Sequence, residues 1–156
     1  MKRRIIEAIV FCRRPMLLFF TMAAACQFGA ANVSAADGIW SLDNNGAWGT
    51  NANWLNNTIA SGVDSTAYFT NAITASRNVT NETSRTIGNL VVNTIGNVSR
   101  FNLVSTPGSV LTLSTASGNP TITVNTNLVN VNCVLAGTQG FVKNGVGGMV
   151  LFSNNT

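Results

Sequence analysis

Apolar and polar residues alternate in the stretch Val129-Asn130-Val131-Asn132-Cys133-Val134-Leu135. In an extended chain, successive side chains point to opposite faces, so Val129, Val131, Cys133 and Leu135 share one face. The same alternation recurs at residues 121–125 and 110–114. This pattern predicts short β-strands that each bury one apolar face.

Further strands are predicted upstream, at residues 66–70, 85–93 and 100–105. Turn-forming residues separate the strands at Thr106-Pro107-Gly108, Ser117-Gly118-Asn119-Pro120 and Ala136-Gly137. Asn45-Gly46 lies between two short apolar stretches and predicts a type I′ hairpin. After Ala35 no stretch carries apolar residues at helical spacing over three turns, so we expect no helix there, and a helix is predicted only in the leader.

The composition after Ala35 favours a stack of coils. About half of these residues are Asn, Thr, Ser or Gly, and only four acidic and four basic side chains remain. A sandwich usually carries charges on its outer faces, whereas stacked coils avoid columns of like charge. The predicted fold class is therefore all-β: a right-handed parallel β-helix or β-solenoid, with a β-sandwich as the alternative. Coils of roughly 20 to 25 residues would give about five coils.

The basic charge of the chain is concentrated at its start. The net charge is +4, but five of the nine basic residues lie within the first 14 positions, and the chain after Ala35 is neutral. A basic nucleic-acid-binding surface is therefore not expected, and no nucleic-acid partner is predicted.

The first 35 residues have the organisation of a secretory signal peptide. A basic start precedes the apolar residues 15–31, and Val33-Ser34-Ala35 supplies the small residues of a signal peptidase site. We expect cleavage after Ala35 or Ala36, with the Sec export machinery as partner and a secreted or cell-surface location. A retained membrane anchor, a twin-arginine signal at Arg13-Arg14 and lipidation of Cys26 are less favoured alternatives.

Few side chains could carry chemistry. The chain has no His, and its remaining carboxylates, Asp37, Asp43, Asp64 and Glu82, are widely spaced, so we interpret them as solvated single residues and predict no enzyme, catalytic residue, cofactor or metal site. Asp43-Asn44-Asn45-Gly46 resembles part of a calcium loop but lacks the closing Glu, which favours a turn. Cys133 has no His to deprotonate it and is predicted to be buried.

Trp40, Trp48 and Trp54 fall within a predicted N-terminal cap and hairpin at residues 36–65. We favour a hydrophobic cap for the solenoid formed by residues 66–156. The alternative is that these rings stack on sugars of a cell-surface or extracellular polysaccharide.

The segment 140–156 carries a recognisable motif. It reads Gly-Phe-Val-Lys-Asn-Gly-Val-Gly-Gly-Met-Val-Leu-Phe-Ser-Asn-Asn-Thr and resembles the autotransporter-associated β-strand repeat, also called the passenger-associated transport repeat. Lys143, Gly145, Gly147, Leu151, Asn155 and Thr156 match its pattern, whereas Gly148 and Phe152-Ser153 depart from it. The resemblance implies a parallel β-helix stalk and supplies no catalytic residue.

The resemblance also sets the expected function. It implies an exported, non-enzymatic structural or adhesin-type β-solenoid segment of a bacterial surface or secreted protein. Family members commonly continue beyond the position of Thr156, so a fragment with an uncapped C-terminal coil is expected. The alternatives are a carbohydrate-binding module and a fragment of a polysaccharide-active enzyme.

Overall fold

The computed structural model describes residues 34–95 and 99–155. Nearly all of the predicted leader, including Cys26, lies outside the described residues. The described residues form short strands that pair in parallel throughout. In chain order the strands are β1 (Gly38–Ile39), β2 (Gly46–Ala47), β3 (Thr66–Phe69), β4 (Arg77–Asn81), β5 (Arg85–Ile87), β6 (Asn89–Val92), β7 (Phe101–Ser105), β8 (Val110–Leu113), β9 (Thr121–Val124), β10 (Leu128–Val131), β11 (Val134–Ala136), β12 (Val142–Asn144) and β13 (Gly148–Leu151).

The strands form three parallel sheets that the chain visits in turn. Sheet I has the order β1-β3-β6-β9-β12, sheet II the order β2-β4-β7-β10-β13, and sheet III the order β5-β8-β11. Strands β3–β5, β6–β8 and β9–β11 therefore make three complete coils, and a two-strand coil lies at each end. The predicted β-solenoid is confirmed, and the alternative β-sandwich is wrong because sandwich sheets are antiparallel.

The coils differ in length. Asn78 and Asn102 stack at a separation of 24 residues, and Asn102 and Asn130 stack at a separation of 28. On sheet I the separation from Asn89 to Thr121 reaches 32 residues. Coils of 20 to 25 residues therefore describe only some turns, because loops of different length join the strands.

The core lies inside the coils, as the alternation predicted. Val129, Val131, Cys133 and Leu135 are all buried. Their stretch divides into β10 and β11, and the alternation continues through the corner at Cys133. The predicted strand at 85–93 divides in the same way, into β5 and β6.

Gly88 occupies the corner between β5 and β6, where another coil approaches closely. A Cβ atom at Gly88 would lie 2.6 Å from Cα of Asp64, a distance that real side chains do not adopt. Asp64 in turn bridges to a later coil, since its N–H donates to the carbonyl of Ser114 at 3.1 Å. The corner is therefore built around a residue that has no side chain.

The predicted turns at 106–108 and 117–120 fall between strands, whereas Ala136 is still the last residue of β11 and only Gly137 of the turn at 136–137 lies outside it. Their glycines have positive φ: +85° at Gly108, +72° at Gly118 and +152° at Gly137. Glycine adopts these values without the steric cost that a Cβ atom brings. The predictions at 106–108 and 117–120 are therefore confirmed, and the third turn begins one residue later than predicted.

The predicted hairpin at Asn45-Gly46 is wrong. Strands β1 and β2 pair in parallel with β3 and β4, and not with each other. Neither Asn45 nor Gly46 has the positive φ that a type I′ turn requires. Pairing with later strands outweighs the local turn preference.

The expectation of no helix holds only for α-helices within the described residues. Two short 3₁₀ helices, Asn51–Asn53 and Leu55–Asn57, follow β2. No helix in the described part of the chain is long and apolar enough to cross a membrane.

Candidate functional site

An asparagine ladder runs along the outer face of sheet II. Asn102 donates from Nδ2 to Oδ1 of Asn78 at 2.9 Å, and Asn130 donates to Oδ1 of Asn102 at 2.9 Å. One coil earlier, Oδ1 of Asn45 accepts from the backbone N–H of Asn78 at 2.8 Å. The next position in register, Val150, ends the ladder. Neutral amides stack here at the spacing of adjacent strands, where like charges would repel.

The three tryptophans close the N-terminal end of the core. Trp40, Trp48 and Trp54 have relative exposures of 0, 1 and 2%. Trp54 lies between the other two, with ring centroids 5.2 Å from each. All three rings pack on Phe69, whose ring lies 5.1 Å from that of Phe101 in the next coil. This cluster joins the end of the solenoid to its interior.

The indole N–H groups of the cluster are satisfied internally. Trp40 donates to the carbonyl of Leu42 at 2.9 Å, Trp48 to Ala60 at 3.1 Å and Trp54 to Trp48 at 2.7 Å. A buried indole needs such a partner. The hydrophobic cap is therefore the role that the geometry gives these residues. The alternative of sugar stacking needs exposed ring faces, and these three rings present none.

Arg85 occupies a core position beside the tryptophan cluster. It stands in register with Leu111, which in turn pairs with Leu135. Its guanidinium lies 5.6 Å from the centroid of the Trp48 ring, and its Nε donates to Oδ1 of Asn81 at 2.7 Å. Desolvation lowers the pKa of Arg85, and the nearby charge of Glu82 opposes that shift. The aliphatic stem of Arg85 lies over the core at the first strand of sheet III, while its guanidinium is hydrogen-bonded to Asn81.

The C-terminal end of the solenoid is open. Strands β11, β12 and β13 are the last of their sheets, and each therefore has an unpaired edge within the described residues. Leu151, in the register of the buried Val131, is 40% exposed, and Phe152 and Val146 are 63% and 96% exposed. A groove of about 200 Å³ lies over sheet III, lined by Leu113, Leu135, Ala136, Gly137, Gly140, Phe141 and Asn155.

Lys143 partly covers this open end. It stands in register with the buried Ile122, so its stem takes a core position. Its ammonium donates to the carbonyls of Gly145, at 2.7 Å, and Gly147. The repeat-like motif thus places Lys143 at the position that Ile122 takes in the earlier coil. Its ammonium stabilises the turn that follows by hydrogen bonding to two of its carbonyls.

The described carboxylates lie at the surface and do not cluster, but they are more than solvated single residues, because each is hydrogen-bonded to the backbone. Each accepts a hydrogen bond from a backbone N–H in another part of the stack. The pairs are Asp37 with Thr66 at 2.7 Å, Asp43 with Thr74 at 3.1 Å, Asp64 with Ala116 at 2.8 Å and Glu82 with Gly49 at 2.6 Å. No group of three or more metal-ligating carboxylate, thiol or imidazole side chains forms within residues 34–95 and 99–155. The arrangement links coils instead of assembling an acid and a base.

Cys133 lies in the core, as predicted from its place in the alternation. It is 1% exposed, and desolvation raises the pKa of its thiol to about 11. A thiol with so high a pKa is a poor nucleophile at neutral pH.

No protein-family profile, no curated protein and no solved structure matches the chain. The resemblance of segment 140–156 to the autotransporter-associated repeat thus stays a prediction from the sequence.

Proposed function

We propose that this chain is an exported, non-enzymatic β-solenoid segment that serves as a stalk or adhesin-type scaffold of a bacterial surface or secreted protein, similar to the passengers of autotransporters. The observation that carries the proposal is the asymmetry of the two ends. A buried aromatic cluster covers the N-terminal end, whereas Leu151 and Phe152 at the last described strand are 40% and 63% exposed.

The polarity of the stack supports this proposal. A parallel solenoid grows by adding strands to its free edges, because each new strand pairs with the strand one coil earlier. The tryptophan cluster buries the apolar side chains at one end, whereas the partly exposed Leu151 and the groove beside Leu135 leave apolar surface uncovered at the other end. The two ends of the described stack therefore differ in the apolar surface that they present.

The neutral surface supports the same proposal. Outward positions on sheet II carry the hydrogen-bonded Asn78, Asn102 and Asn130, so the outer face adds rigidity without a charged column. Side-chain ladders of this kind restrain the coils against sliding past one another. The proposal needs no catalytic residue, and the leader at 1–35 would supply the route through the Sec machinery.

Export is the part of the proposal that experiment reaches first. The full chain, expressed in a Gram-negative host, is fractionated, and the recovered protein is analysed by mass spectrometry. We expect protein outside the cytoplasm with its N-terminus at Ala36 or Asp37. The matched control is Leu18→Arg, which interrupts the apolar part of the leader and should retain the intact chain in the cytoplasm. Recovery of uncleaved wild-type chain in the cytoplasm would contradict the proposal.

The carbohydrate-binding alternative predicts a different result. The exported chain is tested for retention on immobilised bacterial polysaccharides. A scaffold of the proposed kind passes through unretained, whereas specific retention that free polysaccharide abolishes would favour the binding module.

A further inference from the structure

Two Asn-Gly pairs occur in the chain, Asn45-Gly46 and Asn144-Gly145. An Asn that precedes Gly is chemically labile, because no Cβ atom on the next residue shields its backbone nitrogen. That nitrogen can attack the side-chain amide of the Asn. The two pairs contain the same residue types, so their surroundings in the fold determine how readily each one reacts.

The first pair is immobilised at both of its residues. Oδ1 of Asn45 accepts a hydrogen bond from the backbone N–H of Asn78 at 2.8 Å. Gly46 lies in β2, in register with Val79 of β4. A Cβ atom at Gly46 would lie 3.1 Å from the ring of Trp40, so this residue also packs against the tryptophan cluster. Neither the amide nor the nitrogen can move without breaking these contacts.

The second pair has a different environment. Asn144 is exposed, and its side chain forms no hydrogen bond within the described residues. It is the last residue of β12 and stands in register with Thr123, on the outer face of sheet I. Gly145 lies outside the strands and begins the turn that leads to β13. The Asn144 amide can therefore approach the next backbone nitrogen once this turn opens.

The fold requires glycine at position 145. Gly145 has a positive φ of +78°, and a Cβ atom there would overlap the carbonyl oxygen of Val124. Any other residue would therefore strain the turn. Packing thus fixes the residue that makes the preceding Asn144 labile.

We propose that Asn144 is a site of deamidation in the folded chain, and that the turn held by Lys143 limits its rate. In this reaction hydroxide removes the proton of the Gly145 backbone N–H, and the nitrogen attacks Cγ of Asn144. The new N–Cγ bond closes a succinimide ring, the Cγ–Nδ2 bond breaks, and Nδ2 takes a proton from water and leaves as ammonia. Water then opens the ring at either carbonyl and yields Asp or isoaspartate.

The extended backbone of β12 opposes ring closure, because it directs the Asn144 side chain away from the following nitrogen. Closure needs a rotation of the backbone at Asn144, and hence a local opening of the turn. The Lys143 ammonium restrains that turn by donating to the carbonyls of Gly145 and Gly147. The N–H of Gly147 adds a hydrogen bond to the carbonyl of Val124 at 2.8 Å. These three bonds determine the fraction of time in which the pair can react.

Deamidation changes the outer face of sheet I. Either product places a carboxylate at position 144, where the chain has a neutral amide. Isoaspartate also lengthens the main chain by a methylene group at the end of β12. Gly145 can then no longer keep its place against the carbonyl of Val124, so the turn should loosen.

Peptide mapping of the folded full chain tests the proposal. The chain is held at pH 8 and 37 °C and digested at intervals, and the acid products at positions 45 and 144 are quantified by mass spectrometry. We expect conversion at Asn144 and roughly tenfold slower conversion at Asn45, whose reaction needs a hydrogen bond and a strand pairing to break. In concentrated urea, where neither environment persists, the two rates should be similar. Equal rates in the folded chain, or faster conversion at Asn45, would overturn the assignment.

Lys143→Met tests the contribution of the turn. It removes both hydrogen bonds of the ammonium, so conversion at Asn144 should be about fivefold faster, with no change at Asn45. Arg100→Met is the matched control, because it removes the same charge away from the turn, and it should leave both rates unaltered. Conversion at Asn144 that Lys143→Met does not accelerate, or that Arg100→Met accelerates equally, would refute the restraint by Lys143.

Discussion

The side-chain amide of Asn102 donates to that of Asn78, 24 residues earlier, at 2.9 Å. Asn130 continues this contact one coil later, so three neutral side chains restrain three successive coils. The three residues are far apart in sequence, so only the stacking of the coils places them next to one another. The ladder therefore offers a specific test of the register.

Replacing Asn78, Asn102 and Asn130 together by Asp should destabilise the fold. Adjacent strands lie about 4.8 Å apart, so each neighbouring pair of carboxylates would repel by about 1 kcal/mol at the surface. Each lost hydrogen bond adds about 0.5–1.5 kcal/mol. We expect a fall of roughly 3–5 kcal/mol in the free energy of unfolding in urea at pH 7 and low salt, from these two contributions.

Salt and a neutral control variant distinguish the effect of charge repulsion from the effect of the lost hydrogen bonds. One molar sodium chloride should recover part of the loss, because it reduces the screening length to about 3 Å. Replacement of the same three residues by Thr should cost less and should show no such salt dependence. A triple Asp variant as stable as the Thr variant at low salt would show that the three positions do not stack.

Trp54→Ala tests the closed end. Trp54 packs on Trp40, Trp48 and Phe69, and its removal leaves a cavity in the aromatic cluster. Truncation of a buried Trp costs roughly 3–5 kcal/mol. The control is Leu55→Ala, at a neighbouring residue that is 50% exposed, which should change the stability by less than about 0.5 kcal/mol. Similar losses in the two variants, measured by urea denaturation, would argue against a buried cap.

Lys143→Met tests whether the Lys143 ammonium stabilises the turn between β12 and β13. Methionine keeps an apolar stem over Ile122 but cannot donate to the carbonyls of Gly145 and Gly147. We expect a local loss of about 1 kcal/mol, less than the roughly 1.5–3 kcal/mol usual for a charged hydrogen bond, because the site is partly exposed. Hydrogen exchange should speed up about fivefold in β12 and β13 and stay unchanged in β7.

The matched control for Lys143 is Arg100→Met. It removes the same charge from a side chain that forms no ion pair within the described residues. Exchange in β12 and β13 should not respond to it, and an equal response in both variants would assign the effect to net charge.

Cys133 should react slowly with thiol reagents in the folded chain. Its pKa of about 11, against an ordinary value of 9.0, lowers the thiolate fraction roughly 100-fold at pH 8, and burial limits access further. The comparison is Val146→Cys, at a residue that is 96% exposed. We expect mass spectrometry to find position 146 alkylated long before position 133. Comparable rates at both positions would contradict the burial of Cys133.

The same shift has a consequence for alkaline stability. Because the folded pKa of Cys133 lies above its unfolded value, the contribution of the neutral thiol is complete below about pH 9 and is lost as the pH rises toward the folded value. Stability should therefore decline between about pH 9 and pH 11 more steeply in the wild type than in Cys133→Ala.

Much of the fold was predictable because strand alternation is a local property. Val129, Val131, Cys133 and Leu135 fall on one face whichever strands lie beside them, and the turn at Pro107-Gly108 is determined by its own residues. The low and balanced charge after Ala35 then favoured a solenoid over a sandwich. These signals need no knowledge of which coil lies next to which.

The contacts between coils were less predictable. The acceptors Asp37 and Glu82 bind backbone N–H groups 29 and 33 residues away, and a backbone N–H has no sequence signature. Coil lengths also vary, so register could not be counted from a fixed repeat. Asn45-Gly46 shows the opposite problem, because a strong local preference for a hairpin yields there to pairing with β4.

Lys143 lies between these two cases. The repeat-like motif singled it out, but its role depends on the register with Ile122 and on two carbonyls in the following turn. The other side-chain hydrogen bonds between coils have only one signal in the sequence, which is the recurrence of single Asn and carboxylate residues at about one coil length.

Residue-level hydrogen exchange of the full chain at pH 7 tests the closed and open ends most directly. A stack closed by tryptophans at one end should protect the amides of Trp40 and Trp48 nearly as well as those of Leu103 and Ile122. Amides near the unpaired edges, in β13 and in the residues after it, should exchange fastest among the strands. Equal protection at both ends, or faster exchange in the tryptophan cap than in β13, would contradict a solenoid that is closed at its start and open at its end.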